Sequence, residues 1–212
     1  GRMFVQAAQA MGYATAVLDP DPASPAGLIS HHHIQTAYDD PAGLAQLAQL
    51  CDAITTEFEN VPAPALRELA KSRTVAPSAD CVAVAQDRIQ EKAHFVQCGP
   101  ISGVYPAPYA AIESAELLAA VPADLLPGIV KTARLGYDGK GQIRVKTREE
   151  LSAAWEQLGR VPCVLEKLMP LQSECSVIVA RGADGQVVSF PVQANTHHDG
   201  ILAITEVYEG AV

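Results

Sequence analysis

The chain has 212 residues, 49% of them apolar and 18% charged, which excludes a disordered segment and leaves room for one large domain or two small ones. A formal net charge of −9 and a pI of about 5.1 exclude a broad nucleic-acid or anionic-membrane surface, while a local basic pocket for a small anion stays open. No apolar run reaches the roughly 18 residues of a membrane span. Cys51, Cys81, Cys98, Cys163 and Cys175 are scattered, with no C-x-x-C pair and no secretory leader, so a soluble protein of the reduced cytoplasm is expected.

Residues 2–11 carry a helical pattern closed by Gly12, and YATAVLD (13–19) reads as a buried strand ending in Asp19 before the Pro-rich loop DPDPASP. No strand precedes that helix, so an element is expected in front of it. His31, His32 and His33 read as a solvated loop leading into a strand, because adjacent residues of an extended chain point to opposite faces and rarely chelate one ion together. A helix over 41–50, a strand over 52–58 and a helix entered through Pro62 and Pro64 continue an alternation that predicts a parallel, Rossmann-like sheet up to about residue 78. Glu57 and Asn60 end the 52–58 strand, where open α/β sheets bind ligands, although strand-end turns also use such residues structurally.

Asp87 is a predicted N-cap with Gln90 three residues on, and its helix is expected to end at Gly99-Pro100 with Ile89, Ala93 and Val96 as its core stripe. Arg88 and Lys92 share one face, which could meet an anion. A Pro-rich passage (104–108), a helix from near Ser114 to before Pro122, and the strands GIVKTA (128–133) and QIRVK (142–146) follow. Between those strands lies RLGYDGKGQ, with glycines at 136, 139 and 141 around Asp138 and Lys140. Bare backbone lets a ligand approach the N–H groups closely, as a phosphate cover requires; a plain hairpin loop could hold as many glycines. The loop joins two strands and has no G-x-x-x-x-G-K-[ST] pattern, so it is not a Walker A motif. Lys131 sits in the apolar strand before it and, if buried, needs a counter-anion; a solvated strand face is the alternative.

After a helix over 148–158 come the strand PCVLEKL (162–168) and two strand runs in 174–193 around Asp184-Gly185, a hairpin signal that predicts antiparallel sheet in the second half. Glu166 and Glu174 could accept from ribose hydroxyls or an exocyclic amine, and the backbone from Lys167 to Leu168 offers a donor and an acceptor for an adenine edge. Two solvated strand-end glutamates are the simpler alternative. NTHHDGI (195–201) reads as a polar cluster directly after a strand, with His197 a candidate ligand contact and His197-His198-Asp199 open to a metal reading.

Taken in order, GRM, VLDPDPASPA, EFENVP, AQDRIQEK, VKTARLGYDGKGQ, CVLEKLMP, ECSVIVAR and NTHHDGIL resemble the successive signatures of the 5-(carboxyamino)imidazole ribonucleotide synthetases, over essentially the whole chain. These are ATP-grasp enzymes of purine biosynthesis. The resemblance implies an α/β and α+β ATP-grasp architecture truncated at both ends: a Rossmann-like domain (1–78), a connecting helix (79–103), a small lid domain (104–165) and the start of the large nucleotide domain (166–212). It implies a homodimeric ligase that uses ATP and Mg2+ to turn bicarbonate into carboxyphosphate and to carboxylate 5-aminoimidazole ribonucleotide.

By the same resemblance, Arg88, Lys131, Gly136, Gly139, Gly141, Gln142, Glu166, Lys167, Leu168, Met169, Glu174 and His197 bind ATP, while Tyr137, Asp138 and Lys140 face the ribonucleotide and carbon dioxide. Glu57 and Asn60 remain substrate-side candidates. The family opens with a strand and a G-x-G-Q-L turn before the Gly-Arg-Met, and carries its acidic metal ligands beyond the region matched here, so the segment alone is expected to be inactive. Rival readings are another ATP-grasp carboxylate–amine ligase, a non-catalytic ATP-binding fragment, and an NAD-binding module using Asp19.

Overall fold

Side-chain caps set most helix starts in the first of two units, Gly1–Tyr105. A computed structural model describes residues 1–136, 141–198 and 201–208. In chain order the first unit contains α1 (Arg2–Ala10), β1 (Ala16–Leu18), β2 (His32–Ile34), α2 (Pro41–Leu50), β3 (Ala53–Ile54), α3 (Ala63–Ala70), β4 (Thr74–Val75), α4 (Ala79–Ala85) and α5 (Arg88–Ser102). Asp40 caps α2 by accepting from Gly43 N, with Pro41 at the first helical position, and Ser78 caps α4 by accepting from Cys81 N. Asp87 caps α5, accepting from Ile89 N and Gln90 N.

Pairing is parallel, as the alternation predicts, but it takes the form of two two-stranded sheets, β1 with β2 and β3 with β4. Ile34, Leu44, Leu47, Ile54, Ala65 and Leu69 form the core over them. Several expectations change. The strand expected at 13–19 covers only β1 and is half-buried. That at 52–58 stops after Ile54, and the Thr56 hydroxyl then donates to Phe58 O in a local turn. His32 and His33 lie within β2 rather than in the loop before it. Helix α5 runs through Pro100 to Ser102 and ends at Gly103, with φ 72°. A proline this close to the C-terminus removes one hydrogen bond from a nearly completed helix. The expected stripe of α5 is not a core: Val96 is exposed, and Gly99 is the helix's buried residue.

The second unit, Pro106–Val212, contains β5 (Tyr109–Ile112), α6 (Ala115–Ala119), β6 (Gly128–Thr132), β7 (Gln142–Val145), α7 (Arg148–Gln157), β8 (Cys163–Lys167), β9 (Glu174–Ser176), β10 (Val179–Arg181), β11 (Val187–Ser189), β12 (Gln193–His198) and β13 (Ile201–Glu206). Its main sheet has the order β5-β8-β6-β7 and is antiparallel throughout. Ser114 and Thr147 cap α6 and α7. Helix α7 lays Leu151, Ala154 and Trp155 against Ile112, Val130, Val145, Cys163 and Leu165 of the sheet. Burying a leucine of this kind stabilises the fold by about 1.5–3 kcal/mol. The Trp155 indole N–H is satisfied by Val161 O at 2.9 Å. The Arg148 guanidinium donates to Ala119 O and Val121 O, satisfying carbonyls at the end of α6.

The hairpin around Asp184-Gly185 forms as β10 and β11. The run before it divides, however, because β9 turns to β12 in the sheet β13-β12-β9. Residues Asn195–His198 are inside β12 rather than after a strand. Among the described residues no helix is long and apolar enough to cross a membrane.

Candidate functional site

Alternation along the main sheet gives its two faces different jobs. Ala110, Leu165, Val130 and Ile143 lie in one row facing the core, and the next row of the ladder, Tyr109, Glu166, Ile129 and Arg144, faces away from it. Lys131 pairs with Gln142 on one side and Val164 on the other, two residues from Ile129 and so on the same outer face. Three candidates, Lys131, Gln142 and Glu166, are thereby brought to one surface. Lys131 Nζ donates to Glu166 Oε2 at 2.9 Å, with side-chain exposures of 23% and 14%. Lys131 therefore has its counter-anion within the chain, a partner sequence reasoning did not assign to it. Beneath the pair, a Cβ on Gly128 would lie 2.7 Å from Glu166 O, so the close approach of β6 to the end of β8 requires glycine.

The neck of the glycine loop is closed by Thr132 N donating to Gly141 O at 2.8 Å. Gly141 has φ 70°, and a Cβ there would meet Thr132 Oγ1 at 2.7 Å, so both conformation and space exclude a larger residue. Leu135, next to Gly136, has φ 60°, a left-handed conformation that is strained for a leucine. Tyr137, Asp138, Gly139 and Lys140 lie outside the described residues.

At the end of β8 the backbone is already engaged. Lys167 N donates to Pro108 O and Leu168 N to Pro127 O, both at 2.9 Å, so the donor expected of Leu168 for an adenine edge is used within the chain. Leu168 and Met169 then present exposed apolar side chains. Glu174 on β9 and His197 on β12 form a second pair, His197 Nδ1 to Glu174 Oε2 at 2.5 Å, across a register that sets Glu174 opposite Asn195.

In the first unit, Glu57 is exposed, and the Asn60 amide reaches Glu59 Oε1 at 3.5 Å rather than Glu57. Arg88 is the first residue of α5. Asp19 accepts from Asp21 N on Oδ1 and from the Ser24 hydroxyl on Oδ2, so its carboxylate is used by its own loop and not presented to a dinucleotide ribose. The same carboxylate, after burial itself, helps to raise the Tyr38 pKa. The histidine run is structural: His31 Nδ1 accepts from Thr15 N, and His33 Nε2 lies 3.0 Å from Asp19 O. No three His, Cys, Asp or Glu side chains converge on a metal-sized site among the described residues. Burial pushes the Cys163 thiol up to about 11, so it is inert at neutral pH.

Known proteins fit this geometry. Residues 1–86 match the ribonucleotide synthetase preATP-grasp domain and residues 101–210 the ATP-grasp domain. The chain is 41% identical over 210 residues to an N5-carboxyaminoimidazole ribonucleotide synthase of Brucella melitensis, covering 98% of this chain and 57% of that protein. Among solved structures it resembles the Staphylococcus aureus N5-carboxyaminoimidazole synthetase complexed with ADP, with TM-score 0.86 and 36% identity over 96% of this chain and 54% of the other. It also resembles the Aspergillus clavatus N5-carboxyaminoimidazole synthase in complex with ADP and 5-aminoimidazole ribonucleotide, with TM-score 0.80 and 29% identity over 97% and 53%. The chain spans about half the length of the relatives it matches. The ATP-grasp match alone extends over more than half of its residues, and the chain belongs to the ATP-grasp family.

Proposed function

We propose that this chain is the N-terminal and lid portion of a ligase that carboxylates 5-aminoimidazole ribonucleotide at the expense of ATP. A bicarbonate oxygen attacks the γ-phosphorus and ADP leaves. The carboxyphosphate formed loses phosphate to give carbon dioxide, and the substrate amine bonds to that carbon and releases a proton, giving N5-carboxyaminoimidazole ribonucleotide, ADP and phosphate. The observation that carries the reading is the Lys131–Glu166 pair on the outer face of the lid sheet, one strand end away from a glycine loop whose neck requires glycine.

Lys131, with the loop backbone at Gly136 and Gly141 and the side chain of Gln142, holds the phosphates, where a fixed ammonium stabilises the charge that moves in phosphoryl transfer. Lys167 to Met169 offer the base carbonyl oxygens and an apolar platform, and Glu174 takes the ribose hydroxyls with His197 beside it. Arg88, at the start of α5 in the first unit, joins the nucleotide-binding residues by family resemblance alone. Glu57 and Asn60 serve the ribonucleotide, Tyr137, Asp138 and Lys140 are the catalytic residues by family resemblance, Asp138 orienting the amine or taking its proton, and Gly139 belongs with the ATP-binding residues. The reading includes magnesium, which would neutralise charge on the γ-phosphoryl group as it moves. The reading includes a cytoplasmic homodimer.

The deciding experiment measures ADP release by the full-length protein with magnesium and bicarbonate, with and without 5-aminoimidazole ribonucleotide. Release that depends on the ribonucleotide and on bicarbonate, with a carboxylated product, is expected. Release stimulated instead by a different amine or carboxylate would assign the chain to another ligase of the family.

A further inference from the structure

We propose that Glu166 is a positioning residue that acts through Lys131, holding the ammonium ready for nucleotide phosphate; this rests on the nucleotide reading given above. The register pairs Ile129 with Glu166 and Lys131 with Val164, so the two charged residues are diagonal neighbours on the outer face, and Lys131 leans back along the sheet to reach Oε2 at 2.9 Å. Side-chain exposures of 23% and 14% leave the pair less screened by solvent than a fully exposed one.

The two partners differ in how firmly the backbone holds them. Glu166 sits where β6 makes its closest approach to β8 at Gly128, and the next two N–H groups are tied to Pro108 O and Pro127 O. Lys131 carries its charge on a flexible four-carbon stem next to the loop neck. Position is therefore imposed by Glu166 on Lys131. An ammonium has three donors, and one given to Glu166 fixes its direction while two remain for phosphate oxygens. Removing the carboxylate also removes a negative charge that repels phosphate. The two effects oppose each other, and loss of orientation is the larger.

The test is a double-mutant cycle in the full-length protein, with ATP and adenosine affinities measured by calorimetry. Glu166→Gln and Lys131→Met should each weaken ATP about tenfold, as loss of a charge-assisted contact does. The double variant should be within about twofold of Lys131→Met. For adenosine, Glu166→Gln should have the same effect whether or not Lys131 is present. Glu166→Asp keeps the charge but not the reach, and should weaken ATP as the glutamine does; it also serves if the glutamine variant does not fold. Additive losses for ATP, an Asp variant that binds like the parent, or a Gln variant that binds ATP as tightly or more tightly would each overturn the proposal. A parent protein that does not bind ATP at all would overturn the nucleotide reading instead.

Discussion

The two halves of the second unit are both antiparallel sheet, yet they stand on different footings. In β5–β8 one face is covered by α7, and Val130, Cys163 and Leu165 are 0% exposed. In β10–β13 the apolar residues are present in similar number but face outward: Val188 is 63% exposed, Phe190 59% and Ile201 66%. Ladder hydrogen bonds and cross-strand pairs alone hold a small sheet marginally, whereas a packed helix supplies the burial that makes one independent. Apolar alternation thus identifies a strand, but only a facing layer turns it into a core. Geometry at Lys131 and Glu166 is fixed by such a core; geometry at Glu174 and His197 rests on pairing.

The sharpest way to break that comparison is truncation on each side. Leu151→Ala should destabilise the β5–β8 sheet by about 2–5 kcal/mol, since it removes a fully buried side chain under it. Phe190→Ala in the same 212-residue chain should change stability by less than about 0.5 kcal/mol. Urea unfolding reports both, with Trp155, the single tryptophan, as the probe of the β5–β8 sheet. Equal losses would mean that the outer strands are packed after all.

Next in size, on the nucleotide reading proposed above, is Lys131→Ala in the full-length protein, which should weaken ATP binding by about 1.5–3 kcal/mol through loss of a charged hydrogen-bond donor. Isothermal titration measures it, and an unchanged affinity in a folded variant would take Lys131 out of the site. Gly141→Ala should destabilise the loop neck by about 1–3 kcal/mol, because it combines a φ of 70° with a contact at 2.7 Å. Thermal unfolding, compared with Gly159→Ala, where φ is 79° but no atom lies within 4 Å, separates the two causes. Similar losses at both positions would leave conformation as the whole effect.

The smallest expected effect near neutrality belongs to Cys163. Its folded pKa is raised to about 11, so the stability it contributes is complete below the ordinary thiol range and is lost as pH rises from roughly 8.5 towards the folded value. Over that interval the parent should lose about 1–3 kcal/mol more than Cys163→Ala, and almost nothing at pH 7. A pH series of unfolding curves checks this, and parallel curves would show that the thiol titrates freely in the fold.

How much of this was legible depended on distance along the chain. Asp87 announces α5 because a cap and the N–H groups it accepts from are only two and three residues apart. The Asp184-Gly185 turn is equally local. By contrast, QANTHH (193–198) has little apolar alternation and its far partner is residues 174–176, although the Asp199-Gly200 dipeptide before the apolar run at 201–204 is a hairpin signal of the same local kind. Lys131 and Glu166 could each be singled out as charges in apolar strands. Their pairing could not, since it follows from a register across 35 residues. The engagement of the Lys167 and Leu168 N–H groups was hidden for the same reason: their acceptors, Pro108 and Pro127, are set by tertiary packing.

The strand order β5-β8-β6-β7 has a consequence for how the protein is made. Strand β8 is the last of the four to be synthesised, yet it sits between β5 and β6. During translation the β6–β7 hairpin can close early, but β5 must wait for a partner that lies about fifty residues downstream, and such late, long-range pairing is slow to form. Until Cys163–Lys167 inserts, the nascent main sheet is two separate pieces with their edges open, and Lys131 has no Glu166 beside it. Completion of the fold and assembly of the charged pair are therefore one event, so slow synthesis or a pause before residue 163 would lengthen the interval in which these edges can meet another chain.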